Sequence, residues 1–262
     1  PNLSELFGKS SKDLEDTGVS SVLAERIMRL IDRSSGVMSS LVRLEEMGIK
    51  PLTTYDDDYP QQLKQKLRGG TPNIIFYSGE VNPLANSGIG IVGSRKVNEE
   101  GLKTAKEFAQ KAVELGYSVV SGGAEGIDQA AMQSAVAVGG LVITSLGHSL
   151  VASIESSEVR RLLFEGQVVF MTPYGPEEHF SVGNVMGNNR IIYALSKTTV
   201  VVASERESGG TWAGATEAMK RGFGHVTVWN GDGKGSGNEF LIGNGATPID
   251  ELSNFEEILD SV

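Results

Sequence analysis

Three times in this chain a short β-type run empties into a glycine-bearing turn that opens a helical pattern, and no other feature constrains the fold as strongly. The first junction is Ile89-Gly90-Ile91-Val92 followed by Gly93-Ser94-Arg95. About 30 residues later, the span of one strand–helix–strand unit, Ser118-Val119-Val120-Ser121 leads into Gly122-Gly123 and then Gly126-Ile127-Asp128. The third is Val200-Val201-Val202-Ala203, with Ser208-Gly209-Gly210-Thr211 behind it. Junctions of one polarity gather at the carboxyl edge of a parallel sheet, where open α/β folds bind their ligands. Glycine lets backbone approach a ligand closely, and helix amino termini offer free N–H groups and a positive dipole end. The expected ligand carries phosphate.

From Gly88 onward, strands at 89–92, 118–121, 141–145, 168–171, 199–203 and 226–229 alternate with helical patterns. This predicts a doubly wound α/β domain with a mostly parallel sheet and helices on both faces. Leu102, Ala105, Phe108, Ala109, Ala112 and Val113 mark the buried face of the helix after the first junction. A short helix is expected over Asn189 to Leu195, and another over 211–221. Residues 1–50 read as a small helical head, with Leu14, Val22, Leu23, Ile27, Leu30 and Ile31, then Val37, Leu41, Leu44 and Met47, at helical spacing. Residues 51–80 read as a turn-rich linker ending in an extended segment at Ile74-Ile75-Phe76-Tyr77, and 81–262 as the α/β domain.

Composition narrows the function classes. The 262 residues include no cysteine, which excludes disulfides and thiolate metal sites. His148, His179 and His225 stand far apart without metal-ligand spacing. No apolar run reaches the length of a membrane span, so a cytoplasmic location is expected. The net charge of −10 runs against a protein whose surface as a whole grips nucleic acid, and leaves room only for a local basic groove.

Each motif admits a ligand-binding and a plainer structural role. Gly93, Ser94 and Arg95 suit a phosphate loop with a guanidinium clamp, or a tight turn whose arginine pairs with a surface carboxylate. Asn98 is expected to cap the helix that follows, with Glu99 and Glu100 in its first turn. Ser121, Gly122 and Gly123 imply backbone wrapped closely around something, and Asp128 reads as a helix N-cap rather than an acid–base catalyst. Glu125 places an acid within that loop, where it accepts from a ribose or base or repels phosphate. Asn188, Asn189 and Arg190 at a helix start suit a phosphate or base edge, or a capped helix with a structural ion pair. Ser208, Gly209, Gly210 and Thr211 follow a strand and open a helix, the setting in which a glycine loop carries meaning.

Taken in order, these segments resemble the DprA/Smf family of DNA-processing proteins. The resemblance runs from Asp57-Asp58-Tyr59-Pro60 through Ile91-Val92-Gly93-Ser94-Arg95, Ser121-Gly122…Gly126-Ile127-Asp128 and Asn189-Arg190-Ile191-Ile192. It continues through Ser208-Gly209…Ala218 to Gly237-Asn238-Glu239-Phe240-Leu241-Ile242. It implies an extended Rossmann-like domain that binds single-stranded DNA without catalysis, cofactor or metal. It also implies a homodimer that hands DNA to a RecA-type recombinase. Two positions depart from the family pattern, which has arginine in the loop where this chain has Glu125, and Arg-Asn-Arg where it has Asn188-Asn189-Arg190. Both remove a cation from the expected phosphate path. The rival reading is therefore a pocket of the same fold that senses or cleaves a free nucleotide.

Overall fold

The computed structural model describes residues 3–261, so positions 1, 2 and 262 of the expected domain limits lie outside the described residues. The chain divides between Gly48 and Ile49. The amino-terminal unit holds α1 (Ser11–Glu15), α2 (Ser21–Asp32) and α3 (Ser34–Glu46). Ser10 and Asp13 close a reciprocal capping box on α1: the Asp13 amide donates to Ser10 Oγ at 3.2 Å, and the Ser10 amide to the Asp13 carboxylate at 2.7 Å. Leu14 and Leu44 are buried, whereas Val22, Leu23, Leu30 and Val37 are exposed. Spacing identified the helices here but not which side chains they bury.

The second unit opens with β1 (Lys50–Thr53), α4 (Gln61–Leu67) and β2 (Ile74–Ser78). The regular alternation follows as β3 (Gly88–Gly93), α5 (Glu99–Glu114), β4 (Val119–Ser121), α6 (Ile127–Ala137) and β5 (Val142–Ser145). It continues with α7 (Leu150–Ser153), α8 (Ser157–Phe164), β6 (Val168–Thr172), α9 (Val182–Leu195) and β7 (Ser196–Ala203). The chain ends through α10 (Gly209–Arg221), β8 (His225–Trp229), α11 (Asn238–Gly243), β9 (Thr247–Ile249) and α12 (Phe255–Asp260).

One nine-stranded sheet carries the order β1-β2-β6-β5-β4-β3-β7-β8-β9. Among the described residues only the β1–β2 and β2–β6 pairings are antiparallel. The fold is therefore a doubly wound, mostly parallel α/β domain, as the alternation predicts. Residues 51–80 are not a linker: β1 and β2 extend the sheet, with Leu52 opposite Ile75. β1 and β9 both escaped the sequence reading because each is short and contains a proline, Pro51 and Pro248. Proline removes a ladder donor and is tolerated at such sheet edges.

Strand alternation assigns the two faces. Val92, Val120, Ile143 and Val169 join one buried cluster with Leu63 of α4, Ile191 of α9 and Ala215 of α10. Their strand neighbours Ile91, Val119, Val142 and Val168 are equally buried outside that cluster, as side chains pointing to the opposite face must be. α5 packs against α6, burying Ala105, Phe108, Ala109 and Ala112. Phe108 meets Phe255 of α12 edge-on, with ring centroids 5.3 Å apart.

From β3 the chain winds outward through β4, β5 and β6 on one side, and through β7, β8 and β9 on the other. The carboxyl ends of β3 and β7 therefore diverge at the topological switch point, where such sheets bind ligands. The β3–β7 register slips between Val92 and Gly93, so that Gly93 faces Ala203.

Candidate functional site

A cleft of about 500 Å³ opens at that switch point. One wall is Gly93 at the end of β3 with Ser94, Arg95 and Lys96 of the loop that follows, and the other is Ser208, Gly209, Gly210 and Thr211 at the start of α10. A smaller recess of about 370 Å³ adjoins it, lined by Gly122, Gly123 and Glu125, and shares Arg95, Asp128 and Asn189 with the cleft. Eleven of the thirteen site residues expected from sequence line one of these two spaces. The exceptions are Ser121 and Arg190. Ser121 is fully buried and donates its hydroxyl to the Ile91 carbonyl at 2.7 Å, joining β4 to β3.

The amino termini of the helices that follow β3 and β7 differ. Asn98 Oδ1 accepts the Gly101 amide at 2.9 Å, and Glu99 and Glu100 fill the first turn of α5, so that end is closed. Ser208, at the N-cap of α10, makes no side-chain capping bond, and Gly209 has a φ of +78°. The first amides of this 13-residue helix thus lack a side-chain cap where they border the cleft, which favours an anion there. Asn189 fixes this end by donating Nδ2 to the Gly210 carbonyl at 2.9 Å. Arg95 is exposed beside it and makes no ion pair among the described residues.

Asp128 corrects the sequence reading. The N-cap of α6 is Gly126, and Asp128 lies inside the first turn with its carboxylate turned back toward two loops. Oδ1 accepts the Gly93 amide at 3.3 Å and Oδ2 the Gly122 amide at 3.1 Å. Burial pushes its pKa up to about 6, against the opposing pull of the Ala124, Gly122 and Gly93 amides and the Ser121 hydroxyl. The partners lie 35 and 6 residues away, a relation that no local pattern carries. Next to it Tyr193, also on the cleft wall, is buried with a hydroxyl that has no partner. Burial first, and then the Asp128 charge, raises its pKa and keeps it a proton donor.

α9 also differs from expectation. It begins at Val182 and is capped by Ser181, whose Oγ accepts the Asn184 amide at 3.0 Å, so Asn188, Asn189 and Arg190 sit mid-helix. Gly183 and Gly187 hid its first turns, since glycine is a poor helix former. At Gly187 the Tyr174 hydroxyl lies 2.5 Å from where a side chain would start, so a larger residue there would displace that phenol. Asn188 belongs to the core: its Oδ1 accepts from Ser145 Oγ and its Nδ2 donates to the Ser145 carbonyl, both at 2.7 Å. The sequence reading also passed over an apolar wall of the cleft from Phe180, Val185, Met186 and Ile192. No group of three or more His, Cys, Asp or Glu suited to a metal occurs among the described residues.

The family model for DNA recombination-mediator protein A matches residues 50–261. Protein Smf of Synechocystis is 32% identical over 169 residues, covering 60% of this chain and 40% of that protein. DNA processing protein DprA of Streptococcus pneumoniae is 30% identical over 208 residues, covering 77% of this chain and 72% of its own length. The crystal structure of pneumococcal DprA shares the fold, with a TM-score of 0.71 at 24% identity over 94% of this chain and 85% of that one. So does DprA of Helicobacter pylori, described for its single-stranded DNA binding mode, with a TM-score of 0.65 at 19% identity over 81% and 96%. The chain thus spans less than half the length of the Synechocystis relative. With its α/β unit matched throughout, this chain belongs to the DNA recombination-mediator protein A family, that of DprA and Smf.

Proposed function

We propose that this chain binds single-stranded DNA without catalysing a reaction on it, through the cleft between the β3 and β7 loops. The observation that carries this reading is the uncapped start of α10 facing the unpaired Arg95 across one cleft. A helix dipole, free amides and a guanidinium converge there on the space for a backbone phosphate. Apolar side chains at Phe180, Val185 and Met186 supply a surface for a base face. The named activities of its relatives, DNA processing and single-stranded DNA binding, support the same choice. Homodimerisation, delivery to a RecA-type recombinase and action in the cytoplasm complete the proposal by family likeness.

A second reading is favoured by the charge of the site. Asp128 and Glu205 line the cleft and Glu125 the adjoining recess, against the cations Arg95 and Lys96. Such a mixed lining suits a free nucleotide whose sugar or base hydrogen-bonds an acid. Titration with oligo-dT and with a panel of mononucleotides, each at two salt concentrations, separates the two. Salt-dependent oligo-dT binding supports the strand reading. Mononucleotide binding with oligo-dT ignored overturns it in favour of the second.

A further inference from the structure

We propose that α9 carries a second anion-binding site, built from Arg190 and the Arg68–Gly70 turn, that takes a further phosphate of the strand after it leaves the cleft. This rests on the single-stranded DNA reading above. Consecutive side chains on α9 point about 100° apart, as 3.6 residues per turn require. Asn188 enters the core toward Ser145, Asn189 reaches α10 at the cleft, and Arg190 turns to the Arg68–Gly70 turn that follows α4. Its Nη1 lies 3.5 Å from the position a side chain on Gly70 would take.

Arg190 is a half-buried cation that nothing among the described residues neutralises. Its Nε is shielded from solvent and has no acceptor, and no carboxylate lies within ion-pair distance of it among the described residues. Its charge reaches the Tyr174 phenol. Glu178 reaches the same phenol, but Glu178 accepts from Asn184 Nδ2 at 2.9 Å and forms no ion pair with Arg190. Guanidinium groups drawn out of water are normally matched by an acceptor. An unmatched one in a chain of net charge −10 marks a place for an anion from outside.

The turn beside it carries a further arginine, Arg68. Arg68 is exposed, makes no ion pair among the described residues, and has φ +50° and ψ −121°, a conformation that non-glycine residues seldom adopt. Thr71 pins this turn, giving both its amide, at 3.0 Å, and its hydroxyl, at 2.7 Å, to the Arg68 carbonyl. Strain of this kind persists where the surroundings enforce it, and it gathers at binding sites. The guanidinium fork of Arg190 matches the geometry of a phosphodiester, and Arg68 on the adjoining turn offers a second fork to the same strand. Since Asn189 and Arg190 are adjacent, a strand passing from cleft to turn crosses about one helix diameter, roughly 10 Å.

The test is a length series. Wild type, Arg68→Ala and Arg190→Lys are titrated with 5′-labelled oligo-dT of increasing length, from a dinucleotide upward, at several salt concentrations. Arg68→Ala keeps the backbone constraint of the turn and disturbs no buried contact, and Arg190→Lys keeps the charge but loses the fork. Wild-type affinity should climb with length, whereas Arg68→Ala loses about tenfold on the longest strand and nothing on the dinucleotide. Its salt slope should fall by about 0.7, the loss of one phosphate contact on a single strand. Arg190→Lys should move in the same direction by a smaller factor. Variants that follow wild type at every length overturn the second site while leaving the cleft reading intact. A wild type that ignores all oligo-dT overturns the DNA reading itself.

Discussion

Asp128 accepts the amide of Gly93 at 3.3 Å across 35 residues of sequence, while its other oxygen holds Gly122. One buried carboxylate thereby ties the end of β3 to the loop after β4, between the cleft and its adjoining recess. The tie has a pH dependence. The folded-state pKa of about 6 lies above the ordinary 3.8, so the native state binds the proton more tightly than the unfolded chain between these values. The resulting stability is complete below about pH 3.8 and is lost as pH rises through about 6. Its size is on the order of 3 kcal/mol. Urea unfolding of wild type and Asp128→Asn at pH 4.5 and pH 7.5 checks this: wild type should gain on the variant at the lower pH. A difference between the two proteins that is unchanged with pH means that Asp128 does not titrate there.

Arg95 is the unpaired guanidinium of the cleft. Arg95→Ala should weaken oligo-dT binding about tenfold and lower the salt slope by about 0.7. Because Arg95 is exposed, the variant's melting temperature should match that of wild type. Equal affinities for the two proteins would remove Arg95 from the site.

Glu125 tests the choice between polymer and free nucleotide. It is exposed on the recess that adjoins the cleft. If a DNA backbone passes there, Glu125→Arg replaces a repelling anion with a bidentate donor and tightens oligo-dT binding. If a ribose or base binds there, the same change removes an acceptor and weakens nucleotide binding. Paired isotherms at one salt concentration read both outcomes, and no change in either means that Glu125 only faces solvent.

Gly126 is required by the packing of the site. Its φ is +84°, and a Cβ there would stand 2.7 Å from the carbonyl oxygens of both Ser94 and Arg95. Gly126→Ala should cost about 2–4 kcal/mol, from a positive-φ backbone with ψ −123° that side chains seldom adopt and from displacement of the β3 loop. Gly139→Ala is the control, since Gly139 has φ +79° with nothing within 4 Å. It should cost only the backbone component, about 1–2 kcal/mol. Equal losses in chemical denaturation would show that the Ser94–Arg95 contact contributes nothing.

The sequence by itself determined the polarity and order of the strand–loop–helix units, the α5 cap at Asn98 and the family motifs. These are local: strand runs, glycine turns and capping residues act within a few positions of one another, and family motifs are strings. What only the tertiary structure decided depends on distance along the chain or on rotation about an axis. Pro51 and Pro248 concealed two edge strands, because a short proline-bearing segment becomes a strand only when a neighbour supplies the ladder. Asp128 reads as a local cap, yet its partners arrive from β3 and β4. Asn188, Asn189 and Arg190 read as one polar cluster, but helical rotation sends them to the core, the cleft and the Arg68–Gly70 turn. Three adjacent letters serve three separate environments, because a helix turns through about 100° at each residue and the surroundings of α9 differ on every side.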